Sequence, residues 1–150
     1  MSLLHVLVLL AMLSTVLVAA AKFRQTKYQH NALAFTLSQT GLLLNHAHAY
    51  RMATGDWPGS GTNCQLVLNN QEINGFGQIV SCYFPDAGSD LGDRFGLVQW
   101  IPNHYVDLFK SRFAVNEVED FSGARPSSVP AGYSGVVVLT DVNGGTGKRL

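Results

Sequence analysis

Two imidazoles, His46 and His48, stand two apart in HAHA and invite a metal-site reading. On a helix such residues point about 200° apart, so they do not share an ion, and a surface or packing role is expected. The stretch NGGTGKR imitates a phosphate-cradling loop. That loop needs a Gly five residues before its Gly-Lys pair and a Ser or Thr after it; Val142 and Arg149 stand there instead. Asp141, Asn143 and Gly145 imitate half of a calcium loop, without the closing Glu. Asp86, Asp90 and Asp93, in PDAGSDLGD, make a better calcium candidate, to be weighed against a solvated turn. Ser89 and His104 are available side chains, but nothing assembles a Ser/His/Asp or Cys/His set. No catalytic residue, metal ligand or cofactor is expected, and an enzyme is not expected.

The elements around these residues are more informative. Over 150 residues the formal net charge is zero, so no nucleic-acid partner is expected. The charges are unevenly divided. Residues 1–55 contain Lys22, Arg24, Lys27 and Arg51 and no acid; every Asp and Glu lies beyond them. Residues 1–21 contain no Lys, Arg, Asp or Glu. As a helix they would be about 31 Å long, close to the roughly 30 Å hydrocarbon thickness of a bilayer. A cleaved signal peptide is the rival reading, with Ala19, Ala20 and Ala21 as its cleavage region. Against it, the apolar run is long and its basic residues follow rather than precede it. By the positive-inside rule that order holds the next domain in the cytoplasm, unless a basic leader precedes Met1.

Helical character continues past the apolar run. No Gly occurs before Gly41 and no Pro before Pro58. Leu33, Leu37, Thr40, Leu44 and Ala47 recur on one helix face. Phe35, Leu42 and Ala49 recur at sevens on roughly the opposite face. A helix with two apolar faces has two things to pack against, its own domain and a neighbouring chain. Gly55, Pro58, Gly59 and Gly61 end the pattern. One helix is therefore expected over residues 2–53, about 78 Å long. A domain of this size does not bury such a helix, so half of it needs lipid or other subunits.

The apolar start MSLLHVLVLL, the half-polar continuation and the exit YRMATGDWP (residues 50–58) together resemble a type IV pilin or a type II secretion pseudopilin, with a type IVb-like mature N-terminus. The resemblance is strongest over residues 1–58. It implies a structural subunit of a type IV pilus-like filament, a fimbrium with cell adhesion among its family roles. It also implies a leader cut just before the apolar helix and N-methylation of the new first residue. Its partners would be copies of itself or related pilins. It would reside in the bacterial inner membrane before assembly, then in an extracellular filament or a periplasmic pseudopilus. Residues 1–21 would be the transmembrane and filament-core half-helix, 22–54 the amphipathic half-helix, and 55–150 an extracytoplasmic strand-rich domain. Assembly would rest on Met1, His5, Leu9, Leu10, Phe35, Leu42 and Ala49. Leu33, Leu37 and Leu44 would seat the domain on its helix, unless the two faces exchange roles. One position departs from the family. Position 5 usually carries a Glu that pairs with the terminal ammonium of an adjacent subunit, and here it is His5. Some minor subunits also lack that Glu.

Beyond the helix, CQLVLN (64–69), FGQIVSCYF (76–84), FGLVQWI (95–101) and SGVVVLT (134–140) have strand composition. Val106, Phe109 and Phe113 sit at helical spacing, so residues 103–113 read as a short amphipathic helix on the sheet. ARPSSVPAG (124–132) reads as a loop. The expected class is α+β with a mainly antiparallel sheet. Cys64 and Cys82 fall on the first two strand runs. An extracytoplasmic domain favours a disulfide between them over two buried thiols, worth about 3 kcal/mol in the chain-entropy view. The alternative to a filament subunit is a secreted or membrane-tethered single-disulfide binding domain acting alone.

Overall fold

The structure is a computed structural model; it describes residues 2–58, 64, 68, 71–85 and 94–141. Met1, most of 64–69, Asp86, Asp90 and Asp93, and residues 142–150 lie outside the described residues. The fold is α+β. A 52-residue helix, α1 (Leu3–Thr54), precedes a four-stranded antiparallel sheet. The strands are β1 (Val80–Tyr83), β2 (Arg94–Pro102), β3 (Val118–Asp120) and β4 (Tyr133–Asp141), ordered β1-β2-β4-β3. A short helix, α2 (Val106–Lys110), follows a 3-10 turn at Asn103–Tyr105. The chain divides into two compact units, Met1–Asn31 and Ala32–Leu150.

In the second unit, β2 and β4 form the centre and pair along their whole length, from Arg94 opposite Asp141 to Pro102 opposite Tyr133. Both strands are buried on both faces, which is why FGLVQWI and SGVVVLT read as continuous apolar runs rather than alternations. Alternate residues nevertheless serve different cores. Phe95, Leu97, Ile101, Val136 and Val138 pack in one cluster with Leu33, Leu43, Leu44 and Ala47 of α1 and Phe109 of α2. Val98, Trp100, Val137 and Leu139 form the other, covered by Phe121 and Val129 from the connection between β3 and β4 and by Tyr133 at the start of β4.

The exit motif GDWP has a physical role. Gly55 adopts φ +86°, a conformation costly for residues with a Cβ, and its N–H donates to the Arg51 carbonyl at 2.7 Å. That closes the helix and turns the chain inward. Trp57 is then 1% exposed, stacked on Phe95 at 5.5 Å between ring centroids, with His48 edge-on at 5.7 Å and the Arg51 guanidinium 5.0 Å from its ring centre.

Three expectations about elements need correction. CQLVLN is not a strand at its two described positions: Cys64 and Leu68 have helical backbone, and the Gln71 N–H closes the segment onto the Leu68 carbonyl at 2.7 Å. Both residues are buried. A separation of four keeps two side chains on one face of a strand as well as of a helix, so spacing did not discriminate. Within FGQIVSCYF only Val80–Tyr83 is strand, because Asn74 pulls the preceding residues into a tight turn. Its Oδ1 accepts from the Phe76 and Gln78 N–H groups at 2.9 and 3.1 Å, and Gly77 sits at φ +76°. The expected helix over 103–113 is shorter, with α-helix only from Val106 to Lys110; Phe109 anchors it and Phe113 packs on that ring at 5.2 Å. The disulfide between Cys64 and Cys82 is present, with Cα atoms 6.3 Å apart. It ties Cys64, whose backbone is helical, to β1 rather than strand to strand.

Candidate functional site

The first unit is a helix whose side chains point into open space. Leu3, Leu4, Val6–Leu10, Met12, Leu13 and Val16–Val18 are each between 41% and 76% exposed. The helix is long and apolar enough to cross a membrane, and none of its most apolar stretch is buried. Over residues 2–21 the hydroxyl side chains bond locally. Ser14 Oγ donates to the Ala11 carbonyl at 2.9 Å and Thr15 Oγ1 to the Met12 carbonyl at 2.8 Å. Ser2 Oγ and His5 Nδ1 pair at 2.5 Å, while the Ser2 carbonyl accepts from the His5 N–H at 3.1 Å. The Ser14 and Thr15 hydroxyls therefore lose little on leaving water, because each keeps a partner inside the helix. Leu9 and Leu10 lie mid-run, 56% and 57% exposed.

The second half of α1 is different. Ala32, Leu33, Thr36, Gln39, Thr40, Leu43, Leu44 and Ala47 form a buried stripe. Leu33 and Leu44 belong to the core, and Leu37 is half-buried against it. Phe35 and Leu42 remain 53% and 42% exposed, and Ala49 is exposed beside them on the helix.

Within the stripe lies a polar network that the sequence reading overlooked. Thr36 Oγ1 donates to the Ala32 carbonyl at 2.8 Å and accepts from the Gly75 N–H at 3.0 Å. Thr40 Oγ1 donates to the Thr36 carbonyl at 2.7 Å and accepts from Gln99 Nε2 at 3.0 Å. Asn74 Nδ2 donates to Gln99 Oε1 at 3.2 Å and to the Trp100 carbonyl at 3.0 Å. Gln39 Nε2 donates to the carbonyls of Gln71 and Ile73 at 3.1 and 2.8 Å. Helix, turn and β2 are thus joined by buried side chains. Gly75 permits the approach, because a Cβ there would stand 2.3 Å from the Ala32 carbonyl oxygen. Only the in-phase position of Thr36, Gln39 and Thr40 among apolar stripe residues hinted at this.

The remaining candidates separate. His48 donates from Nε2 to the Asp141 carbonyl at 3.1 Å and touches Trp57, while His46 is half-buried elsewhere on the helix surface. Beyond the second core, Trp100, Asp107, Asp120, Phe121, Arg125 and Ser134 line a shallow cleft of about 440 Å³. Asp120 is engaged by Lys110 Nζ at 3.0 Å. Gly135 makes room for the aromatic wall; a Cβ there would lie 2.8 Å from Phe121 Cβ. Among the described residues no three His, Cys, Asp or Glu side chains come together as a metal site. No protein-family model, curated protein or solved structure matches the chain.

Proposed function

We propose that this protein is a structural subunit of a type IV pilus-like filament, held in a membrane before assembly by the first half of α1. One observation carries the reading. A single unbroken helix is apolar and exposed on all sides over residues 3–21, where the Ser14 and Thr15 hydroxyls bond within the helix, and is a core element of an α+β domain in its second half. The first half is built to be surrounded, by lipid in one state and by identical helices in the other. Phe35, Leu42 and Ala49 extend the self-association surface along the second half. The Cys64–Cys82 disulfide supports an extracytoplasmic domain, since such bonds persist in oxidising compartments. His5 carries no negative charge to offer a neighbour's terminal ammonium. Subunit pairing at the helix tip therefore rests on hydrogen bonding rather than on an ion pair.

The test is the mass and N-terminal sequence of the native protein, with electron microscopy of sheared surface material. An apolar helix retained through Leu3–Ala21, an N-methylated first residue and filaments containing the chain are the expected outcome. A native chain starting at Lys22 or nearby would mean that a signal peptidase removed the segment, and the filament reading would fail. The second reading, a tethered binding domain acting outside a filament, draws on the cleft beside Trp100 and Phe121. Membrane-held protein with no filaments would favour it.

A further inference from the structure

The residues just past the apolar run form a distinct chemical band. Lys22, Phe23, Arg24, Lys27 and Tyr28 are all exposed, Phe23 at 71% and Tyr28 at 67%. At about 100° per residue, and counting from Lys22, Phe23 lies near 100°, Lys27 near 140°, Arg24 near 200° and Tyr28 near 240°. The cations and rings therefore encircle most of the helix rather than marking one side. A single docking partner would meet one face, whereas this band needs surroundings on every side, and the apolar length that precedes it matches those of a bilayer. The band spans about 9 Å along the axis, close to one headgroup layer of roughly 5–8 Å. It begins where about 30 Å of apolar helix ends. No acid occurs in residues 1–55 to neutralise it, and none of the three cations has an ion-pair partner among the described residues.

We propose that Lys22, Phe23, Arg24, Lys27 and Tyr28 form an interfacial collar that binds the phosphates of anionic phospholipid headgroups. This rests on the membrane-held state proposed above. The cations pair with phosphate, while the amphipathic Tyr and the Phe ring sit at the boundary between acyl chains and headgroups. Lys stems reach along the apolar surface and leave their ammonium groups at the water side.

The experiment uses the full chain, reconstituted into vesicles of phosphatidylcholine alone or of phosphatidylcholine mixed with phosphatidylglycerol. Spin-labelled phosphatidylglycerol and spin-labelled phosphatidylcholine report which lipid the protein retains at its boundary. The inserted wild type should prefer the anionic lipid by up to about fivefold per cation. High salt should abolish the preference. Lys22→Gln/Arg24→Gln/Lys27→Gln should insert normally and show no preference, whereas Lys22→Arg/Lys27→Arg should keep it. Equal retention of the two lipids by inserted wild type, or an unchanged preference in the Gln variant, would overturn the collar and leave the membrane reading standing. Cation-dependent self-association in phosphatidylcholine alone, without lipid preference, would assign the band to an acidic surface of another copy and also overturn it. Failure to insert into either vesicle would remove the membrane-held state, and the collar with it.

Discussion

The two halves of α1 share one backbone conformation and differ in where their polar side chains find partners. In the first half, Ser14 and Thr15 donate to carbonyls one turn back, and every large apolar side chain among its described residues is exposed. In the second, Thr36 and Thr40 make the same backward bonds but also accept from Gly75 and Gln99, far away in sequence. The first half is complete as a helix and incomplete as a buried object. The second is buried, and its polar groups specify what buries it. Apolar surface is non-directional and accepts any apolar neighbour, whereas a hydrogen-bonded network accepts one arrangement and penalises others. The contrast separates a segment whose surface selects no particular neighbour from one whose polar groups select a single arrangement.

Charge placed in the first half should give the largest effect and spare the domain. Leu9→Arg/Leu10→Arg should cost about 6 kcal/mol of membrane insertion on translocon scales. Fractionation should show loss from the membrane, and the urea transition of the domain should not move. Reducing the Cys64–Cys82 bond, or replacing both residues with Ser, should destabilise the domain by about 3 kcal/mol. Insertion should be unaffected, and denaturation under reducing and non-reducing conditions reads the difference.

The polar network sharpens the contrast further. Gln99→Ala leaves Thr40 and Asn74 short of a partner and should cost about 2 kcal/mol of domain stability. Thr15→Val, which removes only a bond within its own helix turn, should change neither insertion nor domain stability by more than about 0.5 kcal/mol. Equal effects from the two would mean that the halves do not differ as described. A similarly small effect on the domain is expected from Phe35→Ser/Leu42→Ser, within about 0.5 kcal/mol because both side chains are exposed. Filament yield should nonetheless fall; unchanged yield would remove that face from the assembly surface.

How far the sequence revealed this structure depended on periodicity. The long helix was legible because the apolar run of residues 1–21 and a helical stripe followed one another without Gly or Pro until Gly41. The central strands were legible as bounded β-branched runs. The 64–69 segment was not, because a short apolar run fits a buried helical turn and a strand equally well. β3 was missed since Val118-Glu119-Asp120 is acidic, brief and at the sheet edge, where charges guard an unpaired ladder. The network was missed for another reason. Gln, Asn and Thr look like surface residues one at a time, and only tertiary contact brings Thr40 to Gln99, 59 residues apart. The cleft depends on Phe121 seating over Gly135, a contact equally invisible in a linear reading.

The pairing of Thr40 with Gln99, and of β2 with β4, also sets an order of events during synthesis. The stripe on α1 leaves the ribosome before the strands that cover it, and the last of these ends at Asp141. At about 5–20 residues per second, the remaining hundred or so residues take roughly 5–20 s to appear. Throughout that interval the stripe is an apolar surface awaiting its cover, open to chaperones and to wrong partners. If the first half of α1 has entered a bilayer by then, it would tether the nascent chain during this wait. Its contribution would then begin in folding, before any assembly takes place.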